Sequence, residues 1–199
     1  MAYADFTLSG LTRQFNLTRD EDTILFANVP PAQLDPLFLS RLHEDTDLAL
    51  KVSTEKARSE FIIAPVLTEL RRLVQRRIGL FSGVEFTVDQ AQGLAGTCDY
   101  IITRSTEQMF VEAPVLMLVE AKNEDMKRGY AQCIAEMIAA QTFNVREGKE
   151  IDRVYGVVTT GNLWRFLQLQ GMHVNIDGRE YHIDNVAEII GILLQVVMS

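Results

Sequence analysis

The 199-residue chain predicts an α/β fold in which a mixed central β-sheet is flanked by helices. Three observations carry this expectation. Residues 54–77 place Phe61, Ile62, Val66, Leu70, Leu73 and Val74 at helical spacing. The middle of the chain then changes period. Val84–Val88 alternates, and Cys98–Thr103 and Val115–Lys122 read as strands, the second apolar almost to its end as a strand covered on both faces would be. A helical pattern over 125–142 is followed by another apolar strand, Val154–Thr160. Helices alternating with strands in this way build a sheet covered on both sides.

Taken in order, residues 1–33 read as an N-terminal appendage that ends at Pro30-Pro31, where a helix cannot continue. Residues 34–199 read as one domain, since no repeat, low-complexity tract or Gly/Ser linker divides them. Residues 34–50 predict one or two short helices. The helix over 54–77 carries Arg71, Arg72, Arg76 and Arg77 on its polar side and toward its C-terminal end, where cations complement the dipole. Pro65 should kink this helix or mark its first-turn boundary. Gln90–Thr97 is Gly-rich and turn-like. Along 125–142, Ile134, Met137 and Ile138 define an apolar side. A Gly161-Asn162 turn leads into a strand over Leu163–Leu169. Asp177-Gly178, a favoured two-residue turn, predicts a hairpin joining His173–Ile176 to Arg179–Ile183. The apolar segment Val186–Met198 closes the chain as a helix, serving the core or a dimer seam.

Composition excludes several classes. Nineteen Lys and Arg stand against 27 Asp and Glu, a net charge of −8, whereas proteins that coat nucleic acid nonspecifically carry a basic excess to neutralise phosphates. A local basic face remains compatible with this balance. The two cysteines, Cys98 and Cys133, form no CxxC pair and no zinc-ligand spacing with histidine. The opening MAYADFTLSG lacks the basic flank and apolar run of a signal peptide. No run of about 18 uncharged apolar residues is present, so no membrane span is expected, and the cytoplasm is the expected compartment.

The segment Val119-Glu120-Ala121-Lys122 carries the most chemical information. Strand alternation puts Glu120 and Lys122 on one face and Ala121 on the other. Ionised groups at the end of an otherwise apolar strand are costly to desolvate unless paired or metal-bound. Asp99 lies in the preceding strand. If the two strands pair, Asp99 and Glu120 can converge on one hard divalent cation, Mg²⁺ with Mn²⁺ as a substitute, which binds one or two carboxylates and keeps several waters. Lys122 would then stand beside a metal-bound water, to deprotonate it, orient it or offset charge in the transition state. A cross-strand salt bridge at a sheet end is the plain structural alternative for Glu120 and Lys122.

Asp99, then a separate strand ending in Glu120-x-Lys122, resembles the metal-binding pattern of the PD-(D/E)XK nuclease superfamily, with Cys98 standing where a proline is often found. The resemblance spans residues 54–169 and implies a restriction endonuclease-like fold and divalent-metal-dependent hydrolysis of nucleic-acid phosphodiesters, DNA before RNA. It implies that Asp99, Glu120 and the backbone carbonyl of Ala121 hold the metal and that Lys122 activates or orients the attacking water. Glu60, with Glu55 and Glu69 as rivals, resembles the family's helix-borne acid. Gln132, with Gln141 as its rival, resembles a glutamine that braces the site. Residues 119–169, with Thr160, Gly161, Trp164 and Phe166 at the strand turn, look like the N-terminal nuclease domain of type I restriction-enzyme motor subunits. A P-loop is absent, so translocation would need a motor or specificity partner, and a homodimer is the arrangement many small nucleases of this kind use.

Other features read more plainly. The arginines of residues 71–77 are either a phosphate-facing strip or a solvated helical face. Lys127 and Arg128 are better placed for DNA backbone contacts. Trp164 reads as core, and the three histidines share no ligand spacing. Two rival functions remain open: a nuclease-like binding or assembly module without turnover, and an unrelated enzyme acting on a small phosphoester through an acidic metal pocket.

Overall fold

The computed structural model describes residues 2–123 and 126–199. The N-terminal part holds helix α1 (Leu8–Phe15), strand β1 (Thr18–Asp20) and helices α2 (Pro36–Val52), α3 (Glu55–Arg58) and α4 (Ala64–Leu73). Strands β2 (Gly79–Glu85), β3 (Thr97–Thr103) and β4 (Val115–Ala121) follow, then helix α5 (Met126–Arg146). The rest is β5 (Val154–Thr159), β6 (Leu163–Gln170), β7 (His173–Ile176), β8 (Tyr181–His182) and α6 (Val186–Met198).

The eight strands form one open, mixed sheet in the order β1-β7-β6-β5-β4-β3-β2, with β8 paired to the other end of β6. β4 runs parallel to β5, and β1 parallel to β7, while the remaining pairs are antiparallel. All seven residues of the central β4 are buried, as its apolar composition predicts for a strand covered on both faces. One face packs against α2, α4 and α6 through Leu42, Val66, Leu70, Val119, Ala121 and Ile189. The other packs against α1 and α5 through Leu11, Ile101, Leu118, Ile134, Met137 and Val158. The expected α/β architecture with a mixed central sheet is therefore present.

Several local expectations need correction. The helix over 54–77 is three pieces: α3, a π-helical turn at Ser59–Ile63, and α4. Pro65 sits at the start of α4, just after the widened turn, which makes room where a proline ring would otherwise press on the preceding carbonyl. β2 begins at Gly79, five residues before the alternating stretch that announced it, because Gly79, Ser82 and Gly83 obscure its period. α5 reaches Arg146, and Asp125, its expected first residue, lies outside the described residues.

The expected hairpin through Asp177-Gly178 is not formed. β6 is long enough to pair with β7 at one end and β8 at the other, so Asp177-Gly178 spans between two partners of the same strand. Asp177 is buried there, accepting hydrogen bonds from the Arg179 N–H and the Tyr181 hydroxyl. Residues 1–33, read as an appendage, are built into the fold. Tyr3, Phe6, Leu11 and Leu17 are buried on the α5 side and Phe26 on the α6 side, while β1 adds an edge strand to the sheet. α6 is core on its apolar side: Ile189, Ile190, Ile192 and Leu193 are inaccessible.

Candidate functional site

β3 and β4 pair from Thr103↔Val115 to Tyr100↔Val119, with a one-residue register shift between Ile102 and Thr103. Beyond that point the backbone ladder gives way to a side chain: the Ala121 N–H donates to Asp99 Oδ2 at 2.8 Å. On its other edge β4 stays in its ladder, with the Lys122 N–H donating to the Thr159 carbonyl at 2.8 Å. The two antiparallel strands thus separate at the end of β4, and the Asp99 carboxylate occupies the opening.

Glu120 points to the α5 side of the sheet, as alternation requires, and is fully buried. Its Oε1 accepts from Lys122 Nζ, and its Oε2 has no hydrogen-bond partner. Lys122 Nζ also donates to Gln132 Oε1 at 3.2 Å. Asp99, Glu120, Lys122 and Gln132, which the sequence nominated from three separate segments, therefore come together. Gly129 makes this possible: a Cβ there would lie 2.6 Å from Val158 Cγ1 and 3.0 Å from Lys122 Cγ, so only glycine lets α5 pass this closely over the lysine stem.

Glu60 is not brought in. It pairs with Lys56 at 2.7 Å on the exposed side of the helix. The helix acid that reaches the site is Glu55, whose Oε2 accepts from the Asn123 N–H at 3.1 Å. Glu55 lines a cleft of about 260 Å³ together with Ser59, Ser82, Gly83, Asp99 and Ala121. Glu69 is buried against Arg72 on the far part of the helix. The helix is held against the sheet from two directions. The Tyr100 hydroxyl donates to the Ser59 carbonyl at 2.9 Å, and Arg58 Nη1 donates to the Thr160 carbonyl at 3.0 Å. Gly161, at φ 80°, lets the Thr160-Gly161 turn close against Ile62 and Arg58, and buried Trp164 donates to the Gly161 carbonyl at 2.8 Å.

Glu136 was missed by sequence reasoning. It is fully buried on α5, one turn beyond Gln132, and its Oε1 accepts from Gln132 Nε2 at 3.2 Å. Its spacing of four residues from Gln132 on an otherwise Ala- and Met-rich helix is the signal that could have found it. Lys127 is exposed and lies with Arg128, Thr7 and Ser9 around a separate cleft. Of the arginine run, Arg71 donates to the Ile78 carbonyl and Arg72 pairs with Glu69. Gln141 reaches the Gly171 carbonyl, away from the acids.

Burial dominates the electrostatics of the site. It raises Asp99 above the ordinary carboxylate range, against the downward pull of the Ala121 N–H and Lys122. Burial, then the Asp99 charge, pushes Glu120 up to about 8, even with Lys122 opposing. Burial alone would pull the Lys122 ammonium down, but Glu120, Asp99 and Glu55 outweigh it and raise it. Among the described residues, no three His, Cys, Asp or Glu side chains group in a way that would hold a metal ion. What the site offers is a pair of desolvated carboxyls, one with a buried oxygen lacking any partner. That donor set fits a hard cation that retains most of its waters, because such an ion needs only one or two protein carboxylates.

No family model, curated protein or solved structure matches this chain. No helix among the described residues is long and apolar enough to cross a membrane.

Proposed function

We propose that the α4–β2–β3–β4–α5–β5 run is a restriction endonuclease-like core of the PD-(D/E)XK type and that the chain is a divalent-metal-dependent nuclease acting on DNA. The observation that carries this reading is the meeting of Asp99, Glu120 and Lys122 at the point where β3 and β4 part, with one Glu120 oxygen unpartnered. A buried unpaired carboxylate oxygen costs roughly 1–3 kcal/mol, and a cation removes that cost.

In this reading Asp99 and Glu120 would hold Mg²⁺, or Mn²⁺ in its place, with the Ala121 carbonyl as a further oxygen. Glu55 takes the helix-borne role first expected of Glu60. Bound there, the ion would supply Lewis-acid polarisation of the scissile phosphate. Lys122 donates to Glu120 and Gln132, and the surrounding carboxylates Glu120, Asp99 and Glu55 favour its charged form. Its part is therefore to orient the attacking water and offset charge as the phosphorane-like state forms. The water oxygen forms the new P–O bond, the ester P–O bond breaks, and the leaving oxygen takes up a proton as the water gives one to solvent. Gln132 holds Lys122 in place. The Thr160-Gly161 turn and the resemblance to type I motor-subunit nuclease domains support a partner that supplies translocation or target choice, and a homodimer is the arrangement that would cut both strands.

The test is cleavage of plasmid and linear DNA in Mg²⁺ or Mn²⁺, with metal binding by calorimetry. Asp99→Ala should abolish metal binding, and Lys122→Ala should keep it while lowering the cleavage rate at least about a hundredfold. Robust cleavage by a clean Lys122→Ala preparation removes the role given to Lys122. The net charge of −8 favours a second reading, an assembly or binding module built on the same core. Metal-independent DNA or protein binding with no cleavage under any of these conditions would select it.

A further inference from the structure

Glu136 is an acid that the chemistry above does not use. It is fully buried, and its Oε2 has no hydrogen-bond partner. A leucine or methionine would fill the same space without an unpartnered polar atom. The gain lies in its other oxygen, which accepts from Gln132 Nε2 at 3.2 Å. Gln132 in turn accepts from Lys122 Nζ at 3.2 Å, and Lys122 also donates to Glu120.

A glutamine amide has one donor end and one acceptor end, whereas an ammonium has donors only. Lys122 therefore needs the oxygen of Gln132. A flipped amide would set its NH₂ group against the ammonium, and one turn along α5 the carboxyl of Glu136 takes up that NH₂ group. We propose that Glu136 is a positioning residue for the site: it fixes the Gln132 amide with its oxygen toward Lys122, and so holds the ammonium over Glu120. This rests on the reading of Lys122 as the group that orients the attacking water. The role does not depend on the charge of Glu136, because its carbonyl-type oxygen accepts in either protonation state. A glutamine at 136 keeps such an oxygen, and a leucine does not.

The experiment uses the full chain with Mg²⁺ and linear DNA, comparing Glu136→Gln, Glu136→Leu, Gln132→Leu and the double leucine variant. Glu136→Leu is expected to lower kcat about tenfold or more with KM and Mn²⁺ affinity held, since a small misplacement near the reacting atoms acts on kcat. Glu136→Gln should stay within about threefold of the parent, and the double variant should be no worse than Gln132→Leu alone, as groups acting through one contact are non-additive. If Glu136→Leu does not fold, Glu136→Met takes its place. Equal loss in Glu136→Gln and Glu136→Leu, or additive losses in the double variant, overturns the proposal. If the parent itself does not cleave, the nuclease reading fails separately, and the positioning is read from the Gln132 side-chain amide by ¹⁵N NMR. That resonance, assigned by its disappearance in Gln132→Leu, should be shifted and exchange-protected in the parent and in Glu136→Gln and lose both features in Glu136→Leu. An unchanged resonance in Glu136→Leu overturns the proposal.

Discussion

Two carboxyls and one ammonium share a desolvated corner at the end of β4, where burial raises the carboxyls and their charges in turn hold the ammonium. Glu120 is raised to about 8 by burial and by Asp99. The native state then holds a proton that the unfolded chain has released, over the interval between the ordinary glutamate value and about 8. Stability falls with rising pH wherever the native state binds more protons. Metal-free protein should therefore lose unfolding free energy as pH rises through that interval. Urea unfolding in chelator at a series of pH values checks this, and Glu120→Gln should flatten the slope. An unchanged slope in that variant would show that another group carries it. The same corner separates Glu55 from Glu60. Glu55→Gln should weaken Mn²⁺ or Mg²⁺ binding in calorimetry, while Glu60→Gln, which breaks only an exposed, solvent-screened pair with Lys56, should leave it unchanged. The reverse pattern would restore Glu60 as the helix acid.

At the scale of elements, the site depends on how closely α5 lies on the sheet. Alanine is a better helix former than glycine by about 1 kcal/mol, so Gly129→Ala would stabilise an unconstrained helix. Here the added methyl would sit 2.6 Å from Val158 Cγ1, and such overpacking costs roughly 1–3 kcal/mol. Strain should win: the urea midpoint falls. Gly156→Ala meets Met137 Sδ at 2.5 Å and Cys133 Sγ at 2.7 Å and should destabilise similarly, yet only the Gly129 variant reaches Lys122. Cleavage by folded protein should drop in Gly129→Ala and hold in Gly156→Ala; equal rates would argue against the packing of α5 as a control on the lysine. The strands flanking this contact were legible because β3, β4 and β5 are short, apolar and bounded by turns, and the E-x-K face follows from simple alternation. The identity of the helix acid was not legible. The π-helical turn at Ser59–Ile63 adds a residue to one turn, so a regular helical projection loses phase there and does not separate Glu60 from its rivals Glu55 and Glu69. Glu136 was passed over for a different reason: one Glu among Ala, Met and Ile residues reads as a solvated flank unless its four-residue spacing from Gln132 is weighed.

For the whole molecule, the sheet order explains why the first 33 residues escaped recognition as core. The apolar residues buried there, Tyr3, Phe6, Leu11, Leu17 and Phe26, share no helical or strand period, and their partners lie far off in sequence. Tyr3 donates to the Phe86 carbonyl at 2.6 Å, and Thr18–Asp20 pairs with β7 across more than 150 residues of sequence. Pro30 brings its carbonyl against Gly191 so closely that a Cβ there would lie 2.3 Å away. Such contacts follow no local period, so sequence pattern cannot announce them. They also bind the segment to both faces of the sheet that carries the site. Leu11, fully buried between α1 and the α5 face, gives the sharpest test of this integration. Leu11→Ala removes methyl groups from a packed interior and should cost roughly 2–5 kcal/mol, where the same change in a loosely docked tail would cost almost nothing. Residues 34–199 alone should lose the β1 edge and the cover over α5, and so unfold at lower denaturant with a shallower transition than the whole chain. A single cooperative transition for that fragment at the parent midpoint, together with a silent Leu11→Ala, would return the N-terminal segment to the status of an appendage.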